Sequence, residues 1–143
     1  MPMSRVMALD LGEKTIGVAM SDELGIVASP YETIQRSASE KADLRRLVAL
    51  IQEHNISKVV IGIPIMLSGK EAIQAGKSRE FAEKLARRIK VKVEMWDERL
   101  STVEAERSLI EAGKTRQERK QVVDKVAAAL ILRSYLAAKG ADI

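Results

Sequence analysis

The sequence predicts an α/β fold: a five-stranded mixed sheet, a three-strand meander followed by crossovers, with helices on its flanks. Three observations predict it. Five short apolar runs have the length and composition of strands. The first three are separated only by turn residues, so they pair as antiparallel neighbours. From residue 39 onward, apolar runs alternate with helical stripes, and such crossovers return the chain parallel to an earlier strand.

Taken in order, residues 5–10 read as a buried strand that ends in a carboxylate, Asp10, and Gly12 breaks it. Residues 15–21 form a second strand, followed by turn chemistry over 22–25. The third strand, 26–34, contains Pro30, whose missing N–H places it at a sheet edge. Leu44, Leu47, Val48 and Ile51 make the apolar stripe of a helix over 39–54. A short buried strand, 58–63, stops at Pro64. Residues 64–76 read as a long loop around Ser68 and Gly69, a length that marks function or mobility. A helix over 77–90 and a fifth strand over 91–96 follow. Ser101 and Glu104 suit a capping box for a helix that Gly113 ends. The last helix, 119–139, carries the stripe Val122, Val123, Val126, Ala127, Leu130 and Ile131. Strands one and five are expected on either side of strand four, with ligands where the strand ends open into a crevice.

The 143 residues suit a single domain, 1–143, with a core of its own. The chain has no cysteine, which excludes disulfides, thiolate metal sites and cysteine nucleophiles. Neither a secretory leader pattern nor an apolar run long enough to span a bilayer is visible, so a cytoplasmic protein without a membrane partner is expected. The net charge of +4 leans toward a polyanionic partner. The aromatic residues are Tyr31, Phe81, Trp96 and Tyr135, too few for rows of stacked bases. Contacts to nucleic acid are therefore expected to be mainly to phosphates.

Three acidic positions invite chemistry. A carboxylate ending an apolar strand, as Asp10 does, is costly unless it is paired, hydrogen-bonded or bound to a metal. It could equally accept backbone N–H groups in the turn. Asp97 and Glu98 end the fifth strand, where a charged strand end with Arg99 as ion-pair partner is the plainer reading. Asp124 lies early in the last helix beside its apolar stripe, where the helix dipole alone would favour it. Gathered in one crevice, these carboxylates would repel and need cations. Oxygen-only donors suit Mg²⁺ or Mn²⁺. Two such ions about 4 Å apart activate water and stabilise a leaving oxygen in phosphodiester cleavage. Asp10 is the natural bridging ligand, while Glu98 and Asp124 hold one ion each or orient the water. The sole histidine, His54, reads as a solvated helix-end residue, which rules out a histidine-based nucleophilic triad.

Four strings, DLGEKTIGVAMSD, VVIGIPIMLSGKE, DERLSTVEA and VDKVAAALILRSYL, resemble the ordered motifs of the YqgF/RuvX family over nearly the whole chain. The resemblance implies an RNase H-like fold, similar to the Holliday-junction resolvase RuvC. It implies a metal-dependent nuclease acting in Holliday-junction resolution or in trimming the 5′ end of precursor 16S ribosomal RNA. By position it assigns the first-strand acid to Asp10, the acid of the DER motif to Glu98 with Asp97 beside it, and the last-helix acid to Asp124. Thr15 stands where many relatives carry arginine, and Ser101 replaces a threonine but keeps the hydroxyl. RuvC-like enzymes carry a fourth-strand glutamate. This chain reads Val60, Ile61, Gly62 and Ile63 there, so Glu98 would have to substitute from the next strand.

Gly76, Lys77 and Ser78 look like the end of a phosphate-binding P-loop, but the motif needs glycine at 71, where Glu71 stands. An ATP site is therefore rejected, and Lys77 is left to meet a phosphate near a helix start. DLGEKTIGVA is also similar to the first phosphate motif of actin-like ATPases, which need two such domains to clamp a nucleotide. Basic runs at 84–92 and 114–120 are solvated faces or phosphate contacts. Lys14, Lys70, Lys77 and Arg99 are the expected substrate contacts, each near a strand end or on the long loop or its exit. The expected partner is nucleic acid, precursor rRNA or branched DNA. Symmetric cleavage of a junction would require a homodimer. A catalytically weak module that binds nucleic acid or a ribosome-assembly partner is the competing reading.

Overall fold

The computed structural model describes residues 5–63, 69–97 and 116–140. Its strands are β1 (Arg5–Leu11), β2 (Thr15–Ser21), β3 (Ala28–Gln35), β4 (Ile56–Ile63) and β5 (Lys92–Asp97). Its helices are α1 (Glu40–Glu53), α2 (Lys70–Ala86) and α3 (Arg116–Gly140). The sheet order is β3-β2-β1-β4-β5. β1 pairs antiparallel with β2, and β2 with β3, while β1, β4 and β5 run parallel. The expected meander, crossovers and edge position of Pro30 are all present. Pro30 pairs with Ala19 at a register shift, where an edge strand tolerates a missing donor.

Strand alternation gives the sheet two different faces. On one face, Met7, Leu9, Ile16, Val18, Val59 and Ile61 pack with Leu44 and Leu47 of α1 and Phe81 and Leu85 of α2. On the other, Val6, Ala8, Ala19 and Val60 pack with Ala128, Ile131, Leu132 and Tyr135 of α3. Helix α1 begins at Ser39, whose side chain accepts a hydrogen bond from the Ala42 N–H at 3.2 Å. Among the described residues no helix is long and apolar enough to cross a membrane.

Most boundaries lie within three residues of the sequence reading, and the second helix departs furthest from it. Helix α2 starts at Lys70, not at residue 77, so the expected loop over 64–76 ends sooner. Gly69, at φ 53°, occupies the turn before the helix, a backbone state that glycine adopts without a Cβ clash. Gly76 lies inside the helix, where a glycine costs about 1 kcal/mol relative to alanine. Burial of Ala75, Ser78, Phe81, Ala82 and Leu85 against the sheet outweighs that cost. Residues 76–78 are therefore mid-helix, with their N–H groups inside the helical ladder rather than cradling a phosphate. Lys77 is well past the helix start. The helix expected between Ser101 and Gly113 lies outside the described residues.

Candidate active site

Asp10 is the penultimate residue of the central strand, and its backbone is anchored on both sides by pairing with Gly17 of β2 and Gly62 of β4. It is half-buried. Alternation puts it on the face of Val6 and Ala8, the α3 face. The chain then turns tightly into β2. The Gly12 N–H donates to the Thr15 carbonyl at 2.9 Å, and a Cβ on Gly12 would stand 3.2 Å from that oxygen. Two side chains clamp this turn from the other face. The Arg36 guanidinium donates to the Gly12 carbonyl at 2.8 Å, and the Gln74 amide donates to the Leu11 carbonyl at 3.1 Å. The end of β1 is thus held by side-chain hydrogen bonds as well as by strand pairing.

On the α1 and α2 side, the same strand end borders an open cleft of about 740 Å³. Leu11, Lys14, Arg36, Asp43, Gln74, Lys77 and Phe81 are among its lining residues. Two expected substrate contacts, Lys14 and Lys77, therefore meet in one cleft although they come from different elements. Neither is paired with a carboxylate among the described residues. The cleft's buried acid, Asp43, is engaged: it accepts from the Ser37 N–H and hydroxyl, both at 3.0 Å, with Arg36 4.0 Å away. Arg36 also lies 5.2 Å over the Phe81 ring. Sequence reasoning missed Arg36 and Gln74, because Arg36 gains its role only where the end of β3 lies beside the β1–β2 turn, and Gln74 only where α2 packs against it.

The other expected site residues divide as follows. Asp97 ends β5, paired with Ile63 of β4. Met95 packs into the α1 and α2 core, so alternation gives Asp97 that face, opposite to Asp10. Glu98 and Arg99 lie outside the described residues. The backbone of Asp124 is in α3, one helical turn before Ala127 and Ala128, which are buried on the sheet. The side chains of Asp124 and Lys70 lie outside the described residues. Among the described residues no three acidic or imidazole groups converge. What is described fits a hard cation: an oxygen donor at a strand end, half-buried, with glycine on each neighbouring strand.

Helix α3 is fastened to the far strands by aromatic contacts. Trp96 and Tyr135 meet edge to face, with ring centroids 5.2 Å apart. The Trp96 indole N–H donates to the Ser134 hydroxyl at 3.1 Å. Lys58 Nζ donates to the Tyr135 hydroxyl at 2.6 Å. His54 caps α1 and lies 3.2 Å from the Tyr31 hydroxyl, at the edge of the sheet rather than at the end of β1.

Comparison with known proteins agrees with this architecture. Two solved structures of Thermus thermophilus RuvC share the fold at 16% identity. One, in complex with a Holliday junction substrate, has a TM-score of 0.59 over 96% of each chain. The other has a TM-score of 0.56 over 95% of this chain and 96% of that one. A Myxococcus xanthus protein named "Putative pre-16S rRNA nuclease" is 50% identical over 92% of this chain and 87% of its own length. Proteins of the same name from Desulforamulus reducens and Clostridioides difficile are 46% and 47% identical over 92% of this chain, and 96% and 93% of their own lengths. The profile of the RuvX family, described as Holliday junction resolvase, matches residues 4–138, and on that match and these identities the chain belongs to the RuvX family.

Proposed function

We propose that this chain hydrolyses phosphodiester bonds of nucleic acid, with Mg²⁺ or Mn²⁺ held by Asp10, Glu98 and Asp124. Asp10 carries the reading: a half-buried carboxylate at the end of the central strand, on the face covered by the helix that bears Asp124. Asp97 belongs to the opposite face by alternation, which favours its neighbour Glu98 as the second ligand. Bound cations of this kind activate water and stabilise the leaving oxygen. The carboxylates fix the cations, and the clamp of Arg36 and Gln74 on the β1–β2 turn keeps Asp10 in place. Lys14 and Lys77 hold phosphates on the α1 and α2 side of the strand end, away from the bond being cut. Lys70 and Arg99 are proposed as further phosphate contacts from their places in the sequence alone.

The names of the relatives support precursor 16S rRNA as substrate, with its 5′ end as the end trimmed in our reading, and a cytoplasmic location goes with it. The description of the family favours branched DNA as a second substrate, for which the chain would act as a homodimer. Cleavage of a labelled precursor end and of a four-way DNA junction, with Mn²⁺ or Mg²⁺, separates these readings. Wild type is expected to cut the RNA end, and Asp124→Asn to leave it intact. Cleavage of the junction alone moves the assignment to DNA. Equal inertness of both proteins on both substrates, with binding retained, leaves a nucleic-acid-binding module.

A further inference from the structure

Helix α2 turns one stripe of side chains toward the cleft on the α1 and α2 side. Gln74, Lys77, Ser78 and Phe81 are neighbours on it at helical spacing, and all four line the cleft. Gln74 is engaged by the Leu11 carbonyl, and Phe81 is buried with Arg36 over its ring. Ser78 is different. It is 3% exposed, yet its hydroxyl makes no hydrogen bond among the described residues. A serine inside a helix can bond the carbonyl one turn earlier, and this one does not. Among the described residues the sealed side-chain polar atom without a partner is Arg5 Nε, so the Ser78 hydroxyl keeps its access to solvent, through the cleft it lines. A nearly buried hydroxyl left open at a cleft wall calls for a reason.

The charges around that hydroxyl are sorted. Glu40 is held by Lys84 at 2.6 Å, and Asp43 by Ser37 and Arg36. Lys14, Lys77, Glu13 and Glu80 line the same cleft without an ion pair among the described residues. The free groups are thus of both signs: ammonium groups that attract an anion, and carboxylates that accept from hydroxyl and amino groups. A bare phosphate would use only half of this set. A nucleotide uses all of it, through its phosphate, its ribose hydroxyls and the N–H groups of its base. The volume of about 740 Å³ also suits a ligand of that size. Resting on the reading that this cleft meets phosphates, we propose that it is a nucleotide subsite. Lys14 and Lys77 hold the phosphate, the Ser78 hydroxyl donates to one of its oxygens, and Glu13 and Glu80 accept from sugar and base. The nucleotide is either a free nucleoside monophosphate or one unit of an RNA strand. Leu11, at the cleft, packs into the α1 and α2 core, whereas Asp10 belongs to the α3 face, so the subsite lies across the sheet from the carboxylate and needs no cation.

Calorimetric titration of the full chain with 5′-AMP and with a short single-stranded RNA, in buffer containing EDTA, tests the proposal in Ser78→Ala and Lys77→Gln. Alanine is the stronger helix former and Lys77 is exposed, so both variants are expected to melt as wild type does. Wild type is expected to bind, and each variant to bind about 10-fold more weakly, as loss of a hydrogen bond to a charged group implies. Asp10→Asn, altered on the other face, is expected to bind as wild type does. Weakening toward AMP alone assigns the subsite to a free nucleotide, and weakening toward the RNA assigns it to a strand; either supports it. Equal binding by wild type and both variants overturns the subsite, as does a wild type that binds neither probe. Inorganic phosphate that binds as tightly as AMP reduces the cleft to an anion site and overturns the nucleotide. A wild type that cuts no nucleic acid with Mn²⁺ but keeps this binding sinks the nuclease reading and leaves the subsite standing.

Discussion

The two faces of one sheet are built by different rules. Under α1 and α2 the strands present large aliphatic side chains, Met7, Leu9, Ile16, Val59 and Ile61, in a continuous core. Under α3 they present Ala8, Ala19 and Val60, and then the row in which Asp10 lies between two glycines. Large side chains bury more apolar area at roughly 25 cal/mol per Å², so the first face dominates stability. Small ones bring a helix close and leave a polar group accessible. One strand thus serves both ends: Leu9 and Asp10, adjacent in β1, point to opposite faces.

That contrast can be broken by single substitutions. The largest expected effect is on chemistry: Asp10→Asn lowers the rate of cleavage by about 10³-fold, equivalent to roughly 4 kcal/mol of barrier. Its melting temperature should match wild type in metal-free buffer, and a large drop there would make Asp10 a structural residue. Leu9→Ala, one residue away and fully buried, is expected to cost about 3 kcal/mol in urea unfolding. The fraction that remains folded should keep wild-type activity. Tyr135→Phe keeps the ring against Trp96 but removes the acceptor of Lys58, and is expected to cost about 1.5 kcal/mol by the same measurement. A loss above that of Leu9→Ala would reverse the ranking of the two faces.

The smallest effect lies outside both faces, in the turn between β2 and β3. N–H groups of Val27 and Ile26 donate to the Asp22 carboxylate at 3.0 and 2.7 Å and hold its carboxyl below the ordinary value of 3.8. A carboxyl lowered in the folded state stabilises it above the unfolded value, and that contribution fades as pH falls through the folded one. The protection of the Ile26 and Val27 amides from exchange, taken relative to the intrinsic rate at each pH, should therefore be highest near neutrality and fall below about pH 4. Protection that persists unchanged to pH 2 would mean that strand pairing alone orders the turn.

Much of this was legible beforehand where local pattern decides. The bounds of β2, the stripe of α1 and the edge position of Pro30 follow from composition and spacing within a few residues. Asp10 stood out because a carboxylate in an apolar strand is conspicuous. The start of α2 did not, because Gly76 reads as a break, and only burial of the helix face shows why it is tolerated. Lys14 and Lys77 could be named singly, but their shared cleft depends on tertiary packing. The flanking glycines carried a signal: Gly17 and Gly62 interrupt otherwise apolar strands, a mark of close approach. Their alignment with Asp10 is a matter of register between strands far apart in sequence, which no local pattern contains.

The strand order has a consequence for how the chain reaches this state. β1, β2 and β3 are joined by short turns, so their pairing closes small loops at little entropic cost. β4 must come back across α1 to lie beside β1, and β5 across α2 to lie beside β4, which are closures of longer range. A chain still emerging during synthesis can set Gly17 beside Asp10 early, but Gly62 and then Trp96 arrive only as those distant pairings form. The row around the carboxylate is therefore among the last parts of the sheet to be completed, and a partly made chain holds Asp10 on an open strand edge until β4 arrives.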